Sequence, residues 1–369
     1  MAADLRVVVL GAGVAGLSCA RLLLLDGYRD VVVAADVFPP HTTSDGAAAF
    51  WERRCDAHAS WARRTMEHYR ELLANGSATT AGVGEVSGLS HSHEAAEEAY
   101  EGFKEDVKAF RRCTAEETAQ AAKASGLPFR SSLAWSSIGV DSPAYLRWLL
   151  AEVTRLGGTF VRLRARSLEE LSPFAHVLVN CTGLGARELA RDKAVTAYQG
   201  SVIRVHAPHL ASSFLTATGS LLTLNWHSTY VLGRPTSGIV TCGGTYVRGE
   251  EGQSTDADVA AAIWARCTAM VPGLLDPSVR RLHEWTGLRP GRDGDVRLER
   301  EVAAGEGGLH IVHNYGHGGC GHSLHHGCAL DVLEHVRAAK KEIGESAGPR
   351  ARLVGPAPEL QTAAAEEGW

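Results

Sequence analysis

The chain has 369 residues, 45% of them apolar and 21% charged, and its 37 basic and 42 acidic side chains give a formal charge of −5. That is enough for about two globular domains, and arginines scattered rather than massed exclude a nucleic-acid footprint. The longest apolar run, Val259 to Ala265, falls far short of the ~20 residues that cross a bilayer, and the N-terminus lacks a secretory signal, so we expect a soluble intracellular protein.

Arg6 to Leu10 reads as a buried parallel strand, Leu17 to Leu25 as the helix after it, and Asp30 to Ala34 as a second strand ending at Asp36. This is a βαβ unit of about 30 residues. Pro39 to Ala49 is small, polar and rich in turn formers, as in a loop that hugs a ligand. Residues 56 to 76 read as helix, and the pattern from Ala78 to Ser142 is mixed, with strands near Val83 to Ser87 and Ser132 to Ser136. Pro143 opens a helix through Leu156, and strands follow at Thr159 to Leu163 and His176 to Asn180. Further β-type runs are Ser201 to Val205, Leu221 to Leu224, Ser228 to Leu232 and Ile239 to Gly244. Thr255 to Val271 is helical, residues 308 to 313 form a last strand, and Ser323 to Lys340 a closing helix. The tail from Ser346 is rich in Ala, Glu and Pro and is expected to be disordered.

The layout predicts an α/β protein. A Rossmann-like domain with a parallel sheet (1–50, 143–195 and 288–345) would carry an inserted second domain of mixed, largely antiparallel sheet (51–142 and 196–287). Eight cysteines (19, 55, 113, 181, 242, 267, 320 and 328) contain no C-x-x-C pair and suit neither a disulfide framework nor a zinc site. His322 and His326 would share a helical face, but no acid joins them, so no metal is expected.

Gly11-Ala12-Gly13-Val14-Ala15-Gly16 follows the first strand and opens the first helix, with Asp36 twenty residues beyond Gly16. Gly11 permits the tight turn, Gly13 the approach of a pyrophosphate and Gly16 the packing of helix on strand. The helix N-terminus favours the anion, and Asp36 accepts from ribose hydroxyls. This unit alone does not separate FAD from NAD. The run His41-Thr42-Thr43-Ser44-Asp45-Gly46-Ala47-Ala48-Ala49-Phe50-Trp51 favours FAD, because three hydroxyls suit a pyrophosphate or ribityl chain and small residues admit a flat ring.

With Asn180-Cys181-Thr182-Gly183, Arg289-Pro290-Gly291-Arg292, Val296 to Glu301 and His313-Asn314-Tyr315-Gly316-His317-Gly318-Gly319-Cys320-Gly321, the chain resembles the D-amino-acid oxidase family, which includes the D-aspartate oxidases. These motifs run in order across nearly the whole chain. The resemblance implies non-covalent FAD and oxidation of a D-amino acid to an imino acid, which hydrolyses to a 2-oxo acid and ammonia, with O2 reduced to hydrogen peroxide. By motif position Thr42, Thr43, Ser44, Ala49, Phe50, Trp51, Ala165, Thr182 and Gly183 would line FAD, as would Gly318, Gly319, Gly321, His322 and Ser323 around the flavin ring. Val37 departs from the family, where a basic residue often follows the acid, which would loosen the adenosine end.

An amino-acid carboxylate calls for a planar bidentate cation. Arg292, read as lying in an Arg-Pro-Gly-Arg turn, matches the family's carboxylate-binding position, with a surface ion pair as its other role; Arg289 and Arg297 are read as structural. Tyr230 would hydrogen-bond the same carboxylate or else pack in the core, and Gly319 borders the substrate. Hydride transfer asks mainly for geometry, so no catalytic acid or base is assigned, and activity should rise as the substrate amine loses its proton.

Signals for the side chain conflict. Trp226 takes the approximate place of a second active-site tyrosine, while Arg54 stands where the aspartate oxidases hold an acidic side chain; Arg53 and Arg54 also read as a solvated pair. Tyr246 stands where the acidic-substrate enzymes carry Arg. Neutral D-amino acids are the first reading and D-aspartate or D-glutamate the second, followed by a glycine- or sarcosine-type oxidase. An NAD dehydrogenase would leave the C-terminal glycine loop unused. The chain ends Glu367-Gly368-Trp369 rather than in a Ser-Lys-Leu-type signal, so a cytoplasmic location is expected, with the peroxisome left open. A homodimer is suggested by resemblance alone.

Overall fold

A computed structural model of the chain describes residues 5–53, 56–93, 104–218, 229–303, 308–344 and 348–358. In chain order its elements are β1 (Arg6–Leu10), α1 (Val14–Leu25), β2 (Asp30–Ala35), α2 (Ala59–Ala74), β3 (Val83–Ser92), β4 (Lys108–Arg112), α3 (Ala115–Ser125), β5 (Ser131–Val140), α4 (Ser142–Arg155), β6 (Thr159–Arg162) and β7 (Val177–Asn180). There follow α5 (Ala186–Leu189), β8 (Val195–His206), β9 (Ser213–Thr218), β10 (Thr229–Gly233), β11 (Ile239–Gly243), β12 (Val247–Arg248), α6 (Ala257–Met270), β13 (Arg280–Arg292), β14 (Arg297–Val302), β15 (His310–Tyr315) and α7 (Gly321–Ile343).

Two sheets organise these elements into an α/β fold. The first has six strands in the order β14-β15-β7-β1-β2-β6, parallel except where β14 pairs antiparallel with β15. β1 is a continuous apolar run because both its faces are covered. Val7 and Val9 enter the cluster that contains Leu17, Leu324 and Val332 of α1 and α7. Val8 and Leu10 face the other way, toward Leu168, Leu178 and Leu309. The second sheet has nine strands, with β13 pairing off its main path onto β8. One of its faces packs Ile203, Val205, Val231 and Val240 against Ile263 and Cys267 of α6. Strand alternation therefore turns Val202, Arg204, Tyr230 and Leu232 to the opposite face, toward the first sheet.

Three local expectations change. Arg289-Pro290-Gly291-Arg292 is the end of β13, a 13-residue strand in register with β8 from Arg280↔His206 to Arg292↔Val195, not a turn. Proline is tolerated there because β13 is an edge strand. Residues 348–358, expected within a disordered tail, lie against the first sheet: Arg162 N donates to the Pro356 carbonyl at 3.0 Å, Ala351 N to that of Pro173 at 2.9 Å, and Leu353 is buried. Their carbonyls are used too, since Arg6 donates to Ala351 at 2.6 Å and His176 Nε2 bonds that of Gly348 at 2.9 Å. The mixed region holds α3, started by a reciprocal capping box between Thr114 and Glu117. The strand expected at Leu221 to Leu224 lies outside the described residues.

Candidate active site

Between the two sheets runs a cavity of about 2140 Å³. Its first end is built by the β1–α1 turn. Gly11 has φ +112°, and a Cβ there would stand 2.4 Å from the Cys181 carbonyl oxygen, so glycine alone lets β1 turn this close to the end of β7. A Cβ on Gly16 would stand 2.0 Å from the Gly11 carbonyl oxygen, so Gly16 packs helix on turn and does not line the cavity. α1 begins with no side-chain cap and no acid in its first turn, which leaves its dipole uncompensated. Ser44 ties the loop 41–49 to it, its Oγ accepting from Val14 N at 3.1 Å.

Gly11, Ala12, Gly13, Val14, Ala15, Asp36, Thr42, Thr43, Ser44, Ala49, Phe50, Ala165, Thr182 and Gly183 all line the cavity. Asn180 shapes the wall at Thr182, accepting from its amide at 3.2 Å and its hydroxyl at 2.7 Å. Gly318, Gly319, Gly321, His322 and Ser323 line the middle, where β15 passes into α7. Ser323 Oγ accepts from Glu52 N at 3.2 Å. His322 Nε2 donates to the Ser44 carbonyl at 3.0 Å, and burial pushes its pKa down to about 4, so it is neutral near pH 7. Trp51 is a correction. It is 1% exposed, with Nε1 donating to the Ala62 carbonyl at 3.0 Å, and it does not line the cavity. An indole this large is anchored in the core beside the site, while its neighbours Phe50 and Glu52 reach the wall.

Away from the β1–α1 turn stand Tyr230, Leu232, Trp135, Tyr246 and Arg289, while Trp285 lies against Gly46 of the loop 41–49. Arg292, expected here, does not line the cavity. Its Nε donates to Asp192 Oδ2 at 2.7 Å and Nη1 to the Asp295 carbonyl at 3.2 Å, and Tyr315 donates to the same Asp192 oxygen at 2.9 Å. The reason is the strand: an odd separation along β13 places Arg289 and Arg292 on opposite faces. Arg289 lies over the Tyr246 ring at 5.0 Å and donates to the Thr245 carbonyl at 3.2 Å. Among the described residues no carboxylate lies within ion-pair distance of it. Gly200 of the neighbouring β8, two residues beyond Tyr198, the register partner of Arg289, makes the room, since a Cβ there would stand 2.0 Å from the Arg289 Nη1. Gly243 and Gly244 do the same for the Tyr230 ring. Arg297, read as structural, is so, pairing with Glu299 and Glu301. Arg53 is not solvated: it is buried and paired with Asp106 at 2.8 Å and with Asp56. Arg54 and Trp226 lie outside the described residues.

The cavity thus offers a helix N-terminus without an acid in its first turn, the Asp36 carboxylate beyond the second strand and a stretch of glycines and small side chains, a lining that fits FAD. The FAD dependent oxidoreductase family matches residues 6–334. The chain belongs to that family. Its members are flavoproteins, and its cofactor is FAD. Within the family it is 39% identical to a D-amino-acid oxidase of Rubrobacter xylanophilus, over 90% of this chain and 96% of that protein. It is 33% identical to the D-aspartate oxidase of Homo sapiens, over 92% and 98%. The fold is shared with the solved glycine oxidase of Bacillus cereus (TM-score 0.69, 14% identity, 91% of this chain and 96% of that one). It is shared also with L-amino acid deaminase of Proteus vulgaris (TM-score 0.70, 12% identity, 91% and 94%). Among the described residues no group of three or more His, Cys, Asp or Glu is placed to hold a metal, and no helix is long and apolar enough to cross a membrane.

Proposed function

We propose that the protein oxidises neutral D-amino acids to imino acids, which water converts to 2-oxo acids and ammonia, with O2 as the electron acceptor. The observation that carries this reading is the placement of Arg289 and Tyr230 in the same cavity as the glycine loops of the cofactor site. Gly11, Gly13, Ser44, Gly318 and Gly319 would hold FAD, which would supply an acceptor for the hydride of the substrate Cα and a route for its two electrons to O2, released with protons as hydrogen peroxide. The protein binds and orients. The Arg289 guanidinium receives the substrate carboxylate in a fork geometry, and the Tyr230 hydroxyl donates a second hydrogen bond to it. Phe50, Trp135 and Leu232 form an apolar wall that excludes water from the side chain. No acid–base side chain is needed once the amine is neutral, so kcat/KM rises with pH through the amine titration; a flat profile would count against this.

Preference for neutral over acidic side chains rests on charge. A β-carboxylate needs a second available cation at this end. Tyr246 stands beside Arg289 instead of a second arginine, and Arg53 is already held by two acids. The likeness to human D-aspartate oxidase supports an acidic substrate as the alternative. Comparing kcat/KM for D-alanine and D-aspartate decides between them. D-alanine ahead supports the neutral reading; D-aspartate ahead replaces it.

A further inference from the structure

Two buried arginines stand behind the loop 41–49, and neither lines the cavity. Arg204 of β8 is 2% exposed. Its guanidinium donates to Thr241 Oγ1 and to the Gly46 carbonyl, with the Ala47 carbonyl at 3.5 Å. Arg234, just beyond β10, is 3% exposed. One of its terminal nitrogens stands 3.4 Å from the Asp45 carbonyl, 3.2 Å from that of Ala47 and 3.2 Å from Ser142 Oγ. Ser142 in turn donates to the Asp45 and Ala47 carbonyls at 2.8 and 2.9 Å.

Burying a guanidinium is costly unless its donors are satisfied. Among the described residues Arg204 has no carboxylate within ion-pair distance, and Arg234 has Asp141 at 3.7 Å. Between them they reach three successive carbonyls of a loop that belongs to neither sheet: Asp45 from Arg234, Gly46 from Arg204 and Ala47 from both. The same loop reaches α1 through Ser44 and α7 through the bond from His322, and it holds Ala49 in the left-handed region at φ 53°. Its own bonds are local turns, Asp45 N to the Thr42 carbonyl at 3.1 Å and the Asp45 carboxylate accepting from Thr42 N at 3.0 Å and Oγ1 at 2.7 Å, so where the carbonyls of 45–47 point depends on what surrounds them.

We propose that Arg204 and Arg234 are positioning residues for the cofactor: with Ser142 they gather the carbonyls of Asp45, Gly46 and Ala47 and hold the loop 41–49 in the shape that receives FAD. Two side chains that do not line the cavity thereby set how tightly FAD is held.

The test is FAD titration of the apo-forms of R204M, R204K and S142A by flavin fluorescence, below the melting temperature of each apo-protein. The proposal expects the FAD Kd of R204M to rise at least about tenfold, equivalent to ~1.4 kcal/mol. R204K, which keeps a donor for the Gly46 carbonyl, restores most of the loss, and S142A weakens binding about threefold. A purely structural role would lower the melting temperatures of R204M and R204K alike and leave Kd unmoved; that result overturns the proposal. Should R204M fail to fold, S142A decides alone, and a wild-type Kd in folded S142A overturns it equally.

Discussion

Replacing Arg289 with methionine removes the cation proposed to meet the substrate carboxylate, and kcat/KM for D-alanine should fall roughly 30- to 5,000-fold, the range for truncating one partner of a buried charge pair. Replacing Arg292 with methionine breaks its 2.7 Å pair with Asp192 and should lower the melting temperature while changing kcat/KM less than about threefold. Steady-state peroxide release and thermal melts of the two variants check both statements; equal kinetic losses would contradict the assignment. Gly200→Ala probes the same point from the opposite strand. Its Cβ would meet the Arg289 guanidinium at 2.0 Å, so KM should rise with the Arg289 side chain intact. The sequence displayed an Arg-Pro-Gly-Arg motif, but not which arginine faces the site, because that depends on whether the segment turns or extends. The glycine loop was easier to read: Gly16 owes its identity to the Gly11 carbonyl within one βαβ unit, and although Gly11 is pressed by Cys181 at the end of a distant strand, the spacing of the fingerprint is local.

At the scale of elements, β1, α1 and β2 were legible from a continuous apolar run, a fingerprint and an acid at fixed spacing, all local signals. β13 was not, because its register is set by β8, some ninety residues earlier in the chain. Arg204 left a faint signal, a lone charge inside the apolar run Ser201 to Val205, whose meaning required the loop it faces. α7 carries a burden that composition hinted at through its histidines. Burial pushes the pKa of His322 and His326 down to about 4 and that of His325 well below the usual imidazole range. His68 of α2, stacked on His326 at 4.0 Å, falls to about 2. Unfolded, each takes up a proton near the ordinary 6.5; folded, none does until well below. Their contribution to stability is therefore complete above about pH 6.5 and is lost as pH falls from there toward 4, each histidine costing ~1.4 kcal/mol for every pH unit descended in that window. Asp45 opposes them. Burial raises its carboxyl to about 6, so its contribution is present below the ordinary 3.8 and is lost as pH rises through 6. Four histidines outweigh one aspartate, so the holoenzyme's melting temperature should be level above pH 7 and drop steeply below pH 6. A melting temperature rising from pH 7 to pH 5 would contradict this.

At the scale of the whole molecule, the cavity that fits FAD is lined by pieces far apart in the chain: the β1–α1 turn, the loop 41–49, the end of β7 and the start of α7. FAD binds the folded chain and not the unfolded one, so free FAD at a hundred times its Kd should stabilise the protein by ~2.7 kcal/mol. A melt of apo-protein with increasing FAD checks this. The central claim concerns chemistry, and peroxide release by the purified holoenzyme addresses it most directly, assayed with D-amino acids, their L-forms and glycine. The account predicts turnover confined to D-amino acids, with neutral side chains ahead of D-aspartate. A protein that holds FAD and releases no peroxide with any D-amino acid, or that turns over the L-forms equally well, would contradict it.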